Sequence, residues 1–284
     1  MSRVPSLEYL EALRDRTLRR LPSRCVHGAR RAERFLNEVG LASLFATRGM
    51  NLPCLWVAVC GRRDPQFPHH SHHDSEVGLA WTLKDQLPAA GKVFYAKLIR
   101  GRPTFVAWNI FPDVYRLFGP RRSYVHEYRD GLLSPAGKTI VEALQRKRPQ
   151  ETFELKLATN LARPSQRRAF DAAMAEVQQR LFIAMCEVRY DPFTYVWDLV
   201  DARFPAAVAA ARQRSVEQSA RTVLRRYLQA VIYAAPHQLR SIVGDRTRVA
   251  DAVAHLERNG VLDTDCRIDG LSGKWVMLRT PSRP

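Results

Sequence analysis

Three short groups of residues in this chain carry side chains suited to chemistry. The run His69–His70–Ser71–His72–His73–Asp74 is rich in ligand atoms for Zn²⁺ or another divalent ion. A metal site needs ligands held at fixed geometry. Consecutive histidines read instead as a polar loop entering a helix at Glu76, so neither a metal nor any other cofactor is expected. The second group is Glu76, Lys84 and Asp85. A Lys–Asp pair can serve as nucleophile and acid/base in base-excision chemistry. Sequence neighbours on a helix diverge by about 100°, so these two read as surface charges that do not face one another. The third is the string Arg100–Gly101–Arg102–Pro103. An extended Arg-Gly-Arg can lie along a narrow A·T minor groove, and Arg-Gly also suits an ordinary hairpin turn. The sequence holds no Ser-nucleophile elbow, phosphate-cradling GxxxxGK[ST], HExxH or dinucleotide glycine fingerprint. No catalytic residue is assigned.

The charge says more about partners than these groups say about catalysis. Of 284 residues, 45 are Lys or Arg against 28 Asp or Glu, a formal net charge of +17. With 46% apolar and 26% charged residues, the composition is that of a globular chain and not of a basic tail. The excess is uneven: residues 1–50 carry +5, 51–100 +2, 101–150 +5, 151–200 −1, 201–250 +6 and 251–284 zero. Only seven of the basic residues are Lys. Arginine is the residue suited to phosphate and base contacts, while a GC-rich genome would produce the same skew. A polyanionic partner follows, with double-stranded DNA first, no membrane, and no obligate protein partner. The start lacks the apolar stretch of a signal peptide, and the apolar run Leu55–Cys60 is too short to span a bilayer. Five cysteines without a CxxC pair argue against a disulfide framework or zinc finger. A cytoplasmic protein is expected, nucleoid-associated if the source is bacterial.

Periodicity supplies the elements that would position these side chains. Val216–Ala234 has a helical stripe of Ala220, Val223, Leu224, Tyr227, Leu228 and Val231, Pro236 opens a short helix ended by Gly244, and Thr247–Asn259 forms a third. Strand-like Cys266–Ile268 and Lys274–Leu278 follow, around a turn at Asp269–Gly273. Three helices and a hairpin are the winged helix-turn-helix arrangement. Ser134–Gln145, Thr152–Asn160 and a helix from Ser165 through Arg180, with the hairpin Leu181–Arg189 and Phe193–Val200, repeat it. At an offset of 79 residues, Phe170, Ala173, Met174, Val177, Phe182 and Ile183 fall on Val249, Ala252, Val253, Leu256, Val261 and Leu262. A degenerate copy is expected upstream, with a helix over Glu76–Leu87 and a hairpin over Lys92–Ile99 and Thr104–Trp108. The fold class is therefore mainly α with small β-hairpins, as tandem winged-helix modules packed into one elongated body. The expected divisions are 1–110 for a first module with N-terminal helices, 111–133 for a helical connector, 134–200 for a second module and 201–284 for a third.

In such modules the third helix enters the major groove and the hairpin touches backbone. The candidate nucleic-acid-binding residues are accordingly Gln166, Arg167 and Arg168 in one copy and Arg246, Thr247 and Arg248 in the next, with Lys274 on a wing and Arg100 and Arg102 on the first hairpin. Arginine forks onto guanine, glutamine onto adenine, and helix N-termini favour phosphate.

The tandem modules, the run Val39–Gly40–Leu41–Ala42–Ser43–Leu44–Phe45 and the hairpin residues Gly101–Arg102–Pro103–Thr104 resemble the AlkZ-like DNA glycosylases. The resemblance implies several winged helices forming a concave, basic DNA channel, and metal-free excision of alkylated or crosslinked purines. Active members carry a Gln-x-Gln or Gln-x-Asp pair after the first helices that positions the hydrolytic water. Here the corresponding stretch is Ala42–Ser43–Leu44–Phe45–Ala46, with neither residue type, so no catalytic residue is carried over. A winged-helix transcriptional regulator binding duplex DNA is the alternative.

Overall fold

The computed structural model describes residues 4–70 and 73–279. Its helices and strands, in chain order, are α1 (Leu7–Thr17), α2 (Ala29–Val39), β1 (Leu41–Ser43), α3 (Leu55–Cys60), α4 (Ser75–Ala89), β2 (Phe94–Lys97), β3 (Pro103–Val106), α5 (Phe111–Phe118), α6 (Tyr124–Arg129), α7 (Pro135–Arg146), β4 (Gln150–Glu151), α8 (Thr152–Ala158), α9 (Arg167–Gln179), β5 (Ile183–Tyr190) and β6 (Phe193–Leu199). The chain continues through α10 (Val200–Arg203), α11 (Pro205–Arg212), α12 (Val216–Val231), β7 (Tyr233–Ala234), α13 (Pro236–Val243), α14 (Arg246–Arg258), β8 (Leu262–Ile268) and β9 (Leu271–Leu278). The fold is mainly helical with small antiparallel hairpins, as the periodicity predicts. The order helix, strand, helix, helix, strand, strand occurs three times, from α2 to β3, from α7 to β6 and from α12 to β9.

Two compact units divide the chain. One spans Lys84–Arg214; the other joins the residues up to Leu83 with those from Ser215 onward.

In the Lys84–Arg214 unit, Ser134 caps α7 by accepting the Gly137 N–H at 3.0 Å, and Pro135 takes the first helical position, where it loses no bond. The Glu176 carboxylate of α9 accepts the Ser134 N–H at 2.9 Å and ties the two helices. Their apolar stripes meet in a core of Ile140, Val141, Leu144, Leu155, Phe170, Met174 and Val177, closed by Ile183 and Trp197 of the sheet. That sheet has the order β4-β6-β5, with Gln150 opposite Trp197 and Ile183 opposite Leu199.

The other unit repeats this plan with β7-β9-β8. Ser215 caps α12 and Asp245 caps α14, accepting the Gln218 and Arg248 N–H groups at 3.0 and 3.1 Å. Helices α9 and α14 start and stop in step at the 79-residue offset. Ala173 and Val177, and their counterparts Ala252 and Leu256, are buried in both copies, while Val249 and Val253 are only half-buried. One strand is longer than the pattern indicates. The polar string Asp263–Thr264–Asp265 reads as loop, yet β8 runs through it by bulging, with Asp265 at φ 58°.

Helix α1 is fixed to this unit through Glu11. Its carboxylate accepts from the Tyr233 hydroxyl and from Arg20 at 2.6 Å each and from Arg14 at 2.8 Å, and Arg14 lies 4.8 Å over the Tyr233 ring. Partial burial pulls the Glu11 pKa up, but the Tyr233 hydroxyl and the two guanidiniums outweigh it and bring the group down to about 2.

Two outcomes test this packing. Phe170→Ala, at a site 1% exposed, should cost about 3–5 kcal/mol in urea unfolding. Phe153→Ala, at a site 60% exposed, should stay within about 0.5 kcal/mol. For Glu11, the depressed carboxylate contributes stability that is present above its ordinary value of 4.5 and lost as the pH falls towards about 2. Glu11→Gln should lower stability at neutral pH and flatten its decline across that acid window. An unchanged acid profile would contradict the network.

Candidate nucleic-acid interface

Each residue expected at the interface belongs to one of the two units. In Lys84–Arg214, Arg167 and Arg168 are exposed on the first turn of α9. Arg167 forms an exposed pair with Asp171 at 3.6 Å, of the kind that adds little stability. Gln166 is turned to local use, its carbonyl accepting the Arg163 N–H at 3.3 Å. In the other unit, Arg246 and Thr247 are exposed and Arg248 half-buried at the start of α14, while Lys274 pairs with Asp265 at 2.9 Å.

The string Arg100–Gly101–Arg102–Pro103 is not extended. It forms a tight 3-10 turn over Ile99–Gly101 with Arg100 at φ 53°. The buried Thr104 hydroxyl accepts the Ile99 N–H at 3.2 Å and donates to the Arg102 carbonyl at 2.8 Å. Gly101, at φ 68°, sits against the last turn of α9, where a Cβ would come within 3.1 Å of the Gln179 amide. Both arginines are exposed. Their turn nevertheless packs at the C-terminal end of α9, about 17 Å along the helix axis from Arg167 and Arg168. The structure therefore does not gather these two groups.

It does gather arginines that the third-helix argument passes over. In the unit holding α2, a cleft of about 350 Å³ is lined by Arg19, Arg24, Arg31 and Arg34. An adjoining cleft of about 530 Å³ shares Arg34 and adds Arg30 and Arg226, with Glu33 and Glu38 also in its lining. Arg19 pairs with Glu38, and Arg31 donates to the Cys25 carbonyl at 3.3 Å. Arg226 donates to the Asn37 carbonyl. Arg24, Arg30 and Arg34 take part in none of the ion pairs seen among the described residues. The charge count over residues 1–50 carried the signal; the helix assignment did not.

At β1, Ser43 is buried and its hydroxyl donates to the Pro53 carbonyl at 3.3 Å. Phe45 packs edge-on against Trp56, Phe67 and Trp81, with ring centroids 5.4–6.0 Å away. Phe67 and Trp81 remain 51% and 47% exposed.

Lys84 and Asp85 depart from the sequence reading. Lys84 is 2% exposed, its ammonium 2.5 Å from the Asp85 carboxylate, hydrogen-bonded to the Tyr195 hydroxyl and 4.5 Å over the Tyr195 ring. The Tyr190 hydroxyl donates to Asp85 at 3.4 Å. A flexible four-carbon stem lets an ammonium swing back to its neighbour, so divergence of the two Cβ directions does not separate the charges. His69, His70 and His73 are exposed, and Ser71 and His72 lie outside the described residues. Among the described residues no group of three or more His, Cys, Asp or Glu is placed to hold a metal.

A family model described as AlkZ related matches residues 26–244. No curated protein matches the chain. Among solved structures, the Streptomyces sahachiroi DNA glycosylase AlkZ is similar over 97% of this chain and 70% of its own, with 14% sequence identity and a TM-score of 0.59. That is a similarity of fold.

The Lys84–Asp85 pair supplies a stability test. Removing one partner of a buried pair leaves an uncompensated charge, whereas replacing both with apolar groups is often neutral. Asp85→Ala should cost about 3 kcal/mol in urea unfolding, and the double variant Lys84→Met/Asp85→Leu should recover most of that loss. Equal losses in both variants would contradict a buried, coupled pair.

Proposed function

Because this chain belongs to the AlkZ-related family, whose model spans residues 26–244, we propose that it is a DNA-binding protein of the glycosylase-like kind that engages duplex DNA through tandem winged helices. The observation that carries the reading is the arginine-rich surface formed by α2 and the turn before it, where Arg24, Arg30 and Arg34 stand in two adjoining clefts. Arginines outnumber the two carboxylates, Glu33 and Glu38, that line the same clefts, and such an excess of guanidiniums suits a phosphate backbone, since each neutralised phosphate releases counterions. The exposed starts of α9 and α14 support the same reading. Arg167, Arg168, Arg246 and Thr247 are the residues we assign to base edges, and Arg100, Arg102, Arg248 and Lys274 are assigned with Gln166 to supporting contacts.

Binding is the core of this reading, and water activation at β1 is not part of it. A Gln or Asp side chain there would present an acceptor to a water. In this chain Ser43 is bonded to backbone and Phe45 is held among aromatic rings. The similar solved structure is of a DNA glycosylase, which motivates duplexes bearing alkylated purines as the substrates to try.

Fluorescence anisotropy with a labelled duplex over a salt series tests the proposal. The logarithm of the affinity should fall steeply with the logarithm of salt concentration. Arg24→Ala/Arg30→Ala/Arg34→Ala should weaken binding by about tenfold or more at low salt and lower the slope by about 2–3. With alkylated-purine duplexes, binding without abasic-site formation is expected. Affinity indifferent to salt and to the three arginines would overturn the binding reading, and base release would overturn the reading of β1.

A further inference from the structure

The Lys84–Arg214 unit holds an arginine-lined cavity of its own, and none of the residues assigned above lines it. It is a cleft of about 420 Å³ between α5, the α5–α6 loop, α7 and α11. Arg116, Arg121, Arg122 and Arg212 line it, and Asp201 is the one carboxylate in the lining. Tyr124 and Phe182 supply part of its apolar wall.

The neighbouring acids are committed elsewhere. Buried Glu127 pairs with Arg180 and accepts the Arg121 backbone N–H at 3.0 Å, so it builds the loop without neutralising the loop's side chains. Fully buried Asp113 pairs with Arg214. Arg122 reaches Asp130 only at 3.8 Å. Arg116 and Arg212 appear in none of the ion pairs among the described residues, and the Arg116 Nε is buried without a hydrogen-bond partner. Burial lowers the Arg180 pKa, and the nearby Arg121 charge lowers it further, so Arg180 lies close enough to the loop to feel its charge. Like charges held together and an orphaned buried donor both cost stability, and an anion at the centre relieves both.

We propose that this cleft binds the phosphate of a single nucleotide. The planar guanidinium fork matches phosphate oxygens in pairs. A cavity of this volume admits one nucleotide, with its base against the Tyr124 and Phe182 side. The inference deepens the duplex-binding reading and rests on it only for the source of the phosphate, which is either a DNA strand or a free nucleotide.

The test uses the full chain at constant ionic strength, with thermal unfolding followed against inorganic phosphate, dAMP and deoxyadenosine, and duplex affinity measured in parallel. The unfolding midpoint should rise with phosphate and with dAMP, but not with deoxyadenosine. Arg116→Ala/Arg212→Ala should weaken dAMP binding by about tenfold or more while keeping the wild-type circular dichroism spectrum. Arg121→Ala/Arg122→Ala, on the exposed loop, is the second variant if the first folds poorly. A fall in duplex affinity along with dAMP binding assigns the phosphate to a strand; loss of dAMP binding alone assigns it to a free nucleotide. Either supports the site. No midpoint rise, a rise equal for deoxyadenosine, or a rise that survives both variants would overturn it. Wild-type protein that binds dAMP but no duplex would sink the duplex reading and leave this cleft standing.

Discussion

A chain with 45 basic and 28 acidic residues cannot neutralise every guanidinium, so the placement of its carboxylates decides where uncompensated charge appears. Several of those carboxylates are drawn inside. Glu11 holds Arg14, Arg20 and the Tyr233 hydroxyl, while Asp15 takes Arg20 and Arg63. Asp113 takes Arg214, and Glu127 takes Arg180. Each of these acids is buried or half-buried, where an unpaired charge would be expensive and a paired one is tolerable. What remains outside is an excess of arginine over acids. On α2 and around the α5–α6 loop it collects in concave surfaces, where the field of several like charges is focused and not dispersed.

Much of the fold was legible in the sequence because it rests on local rules. Ser134–Pro135 and Ser215 announce helix starts by capping chemistry, and the 79-residue repeat sets α9 and α14 in step to the residue. Those signals depend on backbone satisfaction and apolar period, which a single sequence displays. The strand β8 was less legible, since its bulge carries Asp263 and Asp265, residues that ordinarily mark a loop. The Arg100–Gly101–Arg102 turn shows the same limit. Four residues cannot reveal that α9 will receive Gly101 against Gln179.

The candidate site was only half legible, for a related reason. Third-helix starts can be read from position within a module, and Arg167, Arg168, Arg246 and Thr247 are exposed where that logic places them. The α2 clefts and the Arg116–Arg212 cleft depend instead on which acids are consumed by tertiary partners, as Glu127 is by Arg180, far away in the chain. Regional charge over residues 1–50 and 101–150 pointed to the right segments without naming the side chains. Lys84 and Asp85 failed in the opposite direction. Helical geometry set them apart, while burial against Tyr195 drew them together.

Membership in the AlkZ-related family supplies the setting, and the arginine surfaces supply the physical content of the function proposed for this chain. Arginine-selective chemical modification, read by mass spectrometry with and without duplex DNA, addresses the central claim most directly. The account predicts that DNA protects Arg24, Arg30 and Arg34, while Arg14 and Arg20, already held by Glu11, react equally in both states. Protection confined to other faces of the protein, or none at saturating DNA, would contradict it.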